Sequence, residues 1–270
     1  MSGRMEGSFL FLGTGASTGI PVIGCECTVC HSLDPRNRRT RASIFIEFEG
    51  RHLLIDAGPD VREQLLTHRI QRVDGLLLTH THYDHIAGLE ELRVFNFRQQ
   101  HAIPCLLSSE SLVEVRQRFY YLFLDQVPEK NVTAQFDFRP LEALSGKTVF
   151  CDLPLAYMSY QQGHMHVLGF RFGDLAYITD IKSYPSSIFN ALRNLKTLVV
   201  SALRFTPAPL QFTVDEAIDF ARKIAPEQTY LMHVSHDIEH AHLERLLPPS
   251  IYLAYDGLRL SFSVAPGGAL

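Results

Sequence analysis

Apolar residues in this chain fall mostly in short runs rather than long amphipathic stripes. Phe9–Leu12, Ile44–Phe48, His52–Ile55, Leu76–Thr79 and Cys105–Ser108 open the series, and Val167–Phe172, Ala176–Thr179, Thr197–Ser201, Thr229–Met232 and Ile251–Ala254 continue it. Each run is rich in β-branched or aromatic residues and bounded by turn residues or charges, which predicts strands. Helical spacing lies between them. Asp60–His68 carries Val61, Leu65 and Leu66 on one face, after Pro59 at the expected first position. Thr213–Ile224 opens with T-V-D-E, a capping box in which Thr213 and Glu216 satisfy the first free amides. Strand runs outnumber helical ones, and the first helix comes only after three strands. That order predicts a layered α/β fold with mixed sheets rather than a strict parallel alternation.

No repeat, low-complexity tract or Pro/Gly/Ser-rich linker divides the chain, so residues 1–270 read as one domain. With 46% hydrophobic and 20% charged residues the chain can bury a large core and is not disordered. Lys and Arg number 25 against 29 Asp and Glu, a net charge of −4, so no global field draws in nucleic acid or an anionic membrane. Leu153–Phe170 lacks charges, yet Gln161, Gln162, Gly163 and His164 inside it rule out a membrane span. The N-terminal apolar patch is too short for a signal peptide. Five cysteines, an odd number, argue against a disulfide scaffold. The expectation is a cytoplasmic protein with no membrane and no stable nucleic-acid partner, compatible with a homodimer.

The chemistry concentrates in Leu76–Gly88, L-L-L-T-H-T-H-Y-D-H-I-A-G. An apolar strand runs straight into His80, His82, Asp84 and His85. In extended chain His80 and His82 point to one side, and Asp84 and His85 then begin a turn or helix. The polar groups can thus converge at the strand's C-terminal end. Imidazole and carboxylate suit Zn²⁺, Mn²⁺ or Fe²⁺, and ligands this close can be shared between two ions. A second cluster, Cys25, Cys27 and Cys30, has a C-x-C-x-x-C spacing that favours metal over disulfide, with a fourth ligand supplied from elsewhere. A redox pair is the competing reading. Cys105 and Cys151 lie in apolar, strand-like surroundings and read as core residues.

The H-x-H-x-D-H segment from His80 to His85 resembles the signature of the metallo-β-lactamase superfamily. Leu54-Ile55-Asp56-Ala57-Gly58 is similar to that family's strand ending in D-x-G. Tyr177-Ile178-Thr179-Asp180 is similar to the strand carrying its bridging Asp, and Met232-His233-Val234-Ser235-His236 to its late metal-binding segment. Gly13-Thr14-Gly15, the cysteine cluster and the basic stretch Arg36, Arg38, Arg39 and Arg41 resemble the phosphonate-operon phosphodiesterase branch. The resemblance implies a four-layer αββα sandwich of two mixed sheets with its site at one edge. It implies one ion held by His80, His82 and a further His, and another by Asp84, His85 and His233. Asp180 would bridge the two, so that Asp84 and Asp180 are the carboxylates of the catalytic centre, with Asp56 orienting the ligands. It also implies a structural zinc on Cys25, Cys27, Cys30 and His236.

Two positions depart from that pattern. Aligning on Val167-Leu168-Gly169-Phe170-Arg171 puts Gln162 where the further His is expected, with His164 two residues on and of the same strand parity. His164 is therefore the expected ligand and Gln162 the alternative. Gln211, before Phe212-Thr213, stands where the branch has a His that protonates the leaving group, which an amide cannot do in the same manner. Arg36–Arg41 and Arg204 could meet a phosphate or simply be solvated.

The expected activity is that of a dinuclear hydrolase using metal-activated hydroxide, with Zn or Mn (or Fe) at the active site, on a cyclic nucleotide-like or other small phosphodiester. The alternatives are another hydrolase of this fold, acting on thioesters, lactones or the 3′ end of precursor tRNA, or a metal-binding protein with little turnover. Residues 120–150 are irregular in pattern, but Phe123, Phe136, Phe138 and Leu141 read as packed, with no Gly- or Lys-rich arm.

Overall fold

The structure, a computed structural model, describes residues 4–123 and 133–265. Two seven-stranded sheets face each other. The first is built from β1 (Met5–Gly13), β2 (Ser43–Phe48), β3 (Arg51–Ile55), β4 (Gly75–Leu77), β5 (Ile103–Ser108) and β6 (Phe136–Leu141). The second holds β7 (Ser145–Phe150), β8 (Leu153–Gln162), β9 (Met165–Phe172), β10 (Leu175–Ile178), β11 (Thr197–Ser201), β12 (Gln228–Met232) and β13 (Ile251–Leu253), after which β14 (Arg259–Val264) returns beside β1. Both sheets are mixed. Pairing is antiparallel from β14 through β3 and parallel from β3 through β6. In the second sheet β7 to β10 are antiparallel and β10 to β13 parallel.

Alternation along the strands makes three apolar layers. Phe9 and Phe11 of β1 point between the sheets, where they join Leu53, Ile55, Phe170, Tyr177, Val199 and Met232. Leu10 and Leu12 point outward, to Leu54 and Leu76 and the apolar residues of α1 (Val61–Thr67), α3 (Arg93–Gln99) and α4 (Ser109–Arg118). On the far side, Leu198 and Val200 meet α5 (Ile188–Ala191), α6 (Val214–Ile224) and α7 (His240–Leu246). Helices, two sheets and helices again form the four-layer αββα sandwich. The Thr213–Glu216 capping box forms at the head of α6 as its sequence predicts. α1 instead starts after Asp60, leaving Pro59 outside the helix.

Four strands lie outside the predicted runs, for reasons visible in their side chains. β6 buries one side of Phe136 and Phe138 while Asp137 and Arg139 are exposed, so its period of two is hidden by charges. Pro140 is tolerated because β6 is an edge strand. β7 and β14 are the other polar edge strands, and β8 runs on past Pro154 without a further breaker until Gly163. Residues 124–132, within the irregular stretch, lie outside the described residues. No helix among the described residues is long and apolar enough to cross a membrane.

Candidate metal centre

Every acid and imidazole of the centre follows a parallel strand. Asp56 comes after β3, His80 and His82 after β4, Asp180 after β10 and His233 after β12; Asp84 and His85 lie in α2 (Tyr83–Ile86). Asp56, Asp180 and His233 have left-handed backbones, with φ of 60°, 52° and 58°. Such strain costs on the order of 1–3 kcal/mol per residue and persists only where the surroundings impose it. Here each turn stops a buried strand abruptly and swings a polar side chain into the common edge. The Leu168 amide donates to Thr79 O at 2.9 Å and ties the two sheets together beside it.

Asp56 is wholly buried and engaged on both oxygens. Its Oδ1 accepts from the Thr79 amide at 2.8 Å, and Oδ2 from the Thr79 hydroxyl and His85 Nδ1, each at 2.7 Å. That fixes the His85 ring with Nε2 facing the centre, 3.2 Å from Asp180 Oδ2 and 3.5 Å from Asp84 Oδ2. His233 Nε2 faces the same two oxygens, at 3.3 and 3.5 Å. His80 Nε2 lies 3.0 Å from His82 Nδ1. Ligand atoms of His80, His85 and Asp180 converge within 4.8 Å of one another, as do those of Asp84, His85 and His233.

Burial opposes charge throughout this pocket, and the outcome differs by residue. It holds His80 well below the usual imidazole range, the neutral form a metal ligand requires. Burial disfavours a charged His85 too, but Asp56, Asp180 and Asp84 outweigh it and push that imidazole well up. The same contest, won by His233 and His85, keeps the Asp180 carboxyl far below its normal range. Asp84 is likewise ionised despite burial, held down by His85 and His233. Meanwhile His85 Nε2 and both ring nitrogens of His233 are buried without a hydrogen bond. Buried polar atoms are seldom left so. Ionised carboxylates facing unsatisfied imidazole nitrogens are the donor set a divalent cation completes.

His164 does not join this group. It occupies the exposed turn between β8 and β9, where Gly163 (φ 62°) and His164 close a two-residue hairpin. The expectation for His164 is thus corrected: the turn carries it past the end of the strand, and Gln162, the last residue of β8, is the one that faces the centre. Gln162 is buried, its Nε2 donates to Asp180 Oδ1 at 3.1 Å, and its Oε1 has no partner. Gln211 is also buried and donates its Nε2 to the same Asp180 oxygen. Since a carboxylate oxygen only accepts, it orients both amides. A cleft of about 460 Å³ opens onto the centre, with His82, Asp84, Gln162, Asp180, Arg204 and Gln211 among its walls.

A second group lies on the N-terminal loop. The Cys25, Cys27 and Cys30 sulfurs are 3.2, 3.6 and 3.6 Å from His236 Nδ1. None of these cysteines is in a disulfide. The Cys30 amide donating to it pulls the Cys27 thiol down to about 6, whereas burial pushes Cys30 up to about 11.

Other charged features have structural partners. Arg36 pairs with Asp34 and Glu244, Arg41 with Asp60, and Arg39 is buried against Thr14, Ala254 O and His240. Arg36 and Arg39 therefore clamp the first loop to α7. His240 of α7 is wholly buried there. At Gly13 a Cβ would lie 2.0 Å from Arg41 O, so the glycine serves close backbone approach. Sequence reasoning passed over Thr79 and Thr179. Thr179 Oγ1 donates to Asp180 Oδ2 at 2.8 Å as Thr79 does to Asp56, and the shared signal is a threonine just after an apolar strand, next to a ligand.

Comparison with known proteins agrees with this geometry. Residues 51–234 match the beta-lactamase superfamily domain. An octanoyltransferase of Porphyromonas gingivalis is 34% identical over 255 residues, covering 92% of this chain and 50% of that protein. A coenzyme PQQ synthesis protein B of Methylobacterium nodulans is 32% identical over 150 residues, 50% of this chain and 49% of its own length. The chain thus spans about half the length of these curated relatives. Among solved structures, a diphosphatase from the PhnP family superposes with a TM-score of 0.89 at 34% identity, covering 97% of this chain and 99% of the other. Zn²⁺-bound PqqB from Methylobacterium extorquens gives 0.74 at 18% identity over 94% and 99% of the two chains, a likeness of fold alone.

Proposed function

The chain belongs to the beta-lactamase superfamily, and from that premise we propose that it is a dinuclear metal-dependent hydrolase acting on small phosphodiesters. The observation that carries this reading is the pair Asp84 Oδ2 and Asp180 Oδ2, each within 3.5 Å of both His85 Nε2 and His233 Nε2. His80 and His82, with the free Oε1 of Gln162, would hold one ion. Asp84, His85 and His233 would hold the other, and Asp180 would lie between. Two divalent ions there would supply a water of lowered pKa and positive charge for the phosphoryl oxygens, whether as Zn, Mn or Fe.

The chain's own residues do the positioning. Asp56 fixes His85, and Thr179 and the two glutamine amides fix Asp180, so that this carboxylate is held in place without reorganisation. The cleft beside them admits a small diester while Leu203, Ala208, Pro209 and Leu210 give it an apolar wall. The near-full-length likeness to a diphosphatase supports phosphorus as the centre attacked. Acyl transfer is not carried over from the octanoyltransferase, because the likeness covers half of that protein and, among the described residues, the cleft presents neither Cys nor Lys. The Cys25, Cys27, Cys30 and His236 group would hold a zinc that ties the first loop to the segment bearing His233.

Measuring metal content and turnover of bis-p-nitrophenyl phosphate on one preparation tests the proposal. Two active-site ions with turnover support it. One ion or none, with no turnover, leaves a metal-binding scaffold instead.

A further inference from the structure

Among the described residues, Arg204 is the one Lys or Arg side chain lining the cleft. It starts the loop that Gln211 ends. The Leu203 amide donates to Phe212 O at 2.8 Å and the Val214 amide to Arg204 O at 3.0 Å, so the two residues face each other across the loop base. Pro207 and Pro209 stiffen the segment between them. The guanidinium has little structural employment. Its Nη2 donates to Pro207 O at 3.2 Å, its Nε is buried without a partner, and no carboxylate among the described residues forms an ion pair with it. A fixed cation on the wall of a cation-binding centre is repelled when that centre fills, and gains only when an anion stands between them. Gln211, opposite, cannot supply a proton: its nitrogen is spent on Asp180, and the atom left over is a carbonyl oxygen, an acceptor.

We infer that Arg204 is a catalytic residue of the proposed hydrolysis, stabilising the negative charge of the leaving oxygen in place of a general acid. The inference rests on the phosphodiesterase reading. Water oxygen bonds to phosphorus as the ester P–O bond breaks, and the electron pair of that bond stays on the departing oxygen. The guanidinium binds this anion through its fork of N–H donors. The anion then takes a proton from water, and the proton lost by the attacking water returns to solvent. The products are a monoester and an alcohol or phenol.

A charge acting on the leaving oxygen matters most when that oxygen is basic. The test is a series of aryl esters of thymidine 5′-phosphate, from 4-nitrophenyl through 4-chlorophenyl to phenyl, with kcat and KM measured on metallated protein. Arg204→Gln should lower kcat for the phenyl ester about 10²–10³-fold, the scale of losing one such donor, and for the 4-nitrophenyl ester less than about tenfold. The plot of log kcat against phenol pKa should steepen, KM should change little, and Arg204→Lys should fall between. In Arg204→Ala, added guanidinium ion should restore the phenyl ester more than the 4-nitrophenyl ester. Equal losses along the series, or a loss confined to KM, would show an anchoring or structural role and overturn the inference while leaving the phosphodiesterase reading intact. Wild-type protein with both ions that cleaves none of the esters overturns that reading, and this inference with it.

Discussion

Gln162 and Gln211 meet on a single atom, Asp180 Oδ1, from opposite sides of the cleft. One comes from the end of β8 and the other from the loop before α6, so Asp180 is braced by two neutral amides where the branch resembled has imidazoles. Both amide nitrogens are turned to the carboxylate, and both carbonyl oxygens are buried and free. An amide oxygen binds a transition metal more weakly than imidazole. The ion on the His80 and His82 side should therefore be the weaker of the two.

Gln162→His should strengthen that site. Competition with a chromogenic chelator should show the weaker of two binding steps tightening about tenfold or more, with the stronger step unchanged. Two equal steps in the wild type, or no change in the variant, would place Gln162 outside the coordination sphere.

Asp180→Ala should abolish hydrolysis while the circular dichroism spectrum stays near that of the wild type. The side chain touches Thr179, Gln162, Gln211, His85 and His233, and nothing of the apolar layers depends on it. A folded variant with near-normal turnover of bis-p-nitrophenyl phosphate would exclude a dinuclear mechanism.

Asp56→Asn should leave the fold intact and weaken metal binding roughly 10–100-fold, the usual cost of removing a carboxylate behind a ligating imidazole. Asn can still meet the Thr79 hydroxyl, but it no longer opposes the burial that disfavours charge on His85. Metal affinity by equilibrium dialysis checks this; unchanged affinity would mean that Asp56 serves the strand end alone.

Much of this centre is legible in the sequence because its ligands are local. His80, His82, Asp84 and His85 span six residues after one strand, and strand parity already aims two of them together. Asp56, Asp180 and His233 are legible only through resemblance, since what unites them is where three distant strands end. The placement of Gln162 against His164 turned on a tight hairpin: two residues more of strand, and the parity argument would have favoured the histidine. Edge strands β6, β7 and β14 were hidden because one face is polar, and β14 pairs with β1 at the other end of the fold. The role of Thr79 was invisible because a buried strand-end threonine looks like any other until its carboxylate partner is known.

Cys27→Ser should cost stability and activity together. The four ligand atoms lie close enough for one tetrahedral ion, and His236 is three residues past His233. Loss of zinc would free the first loop, whose Gly15 pairs with Val234 beside that active-site segment. A lower melting temperature with one zinc fewer per chain by elemental analysis is expected. A variant that keeps its full zinc content removes the structural site.

Gln211→His gives the most discriminating test of why an amide stands in the cleft. If the braced carboxylate and its ions generate the nucleophile but no residue hands a proton to the leaving group, turnover must depend on leaving-group acidity. p-Nitrophenolate departs unaided, whereas a ribose alkoxide needs protonation or a compensating charge as the P–O bond breaks. General acid catalysis contributes about 10²–10⁴-fold where it operates, so a histidine here should raise kcat/KM for 2′,3′-cyclic nucleotides by a sizeable part of that range. Gains with bis-p-nitrophenyl phosphate should be small. The variant also gives up one donor to Asp180, while Gln162 and Thr179 still hold the carboxylate, so metal content is to be checked alongside. The decisive quantity is the ratio of the two gains. Equal gains, or none for either substrate in a fully metallated variant, would show that position 211 does not face the leaving group.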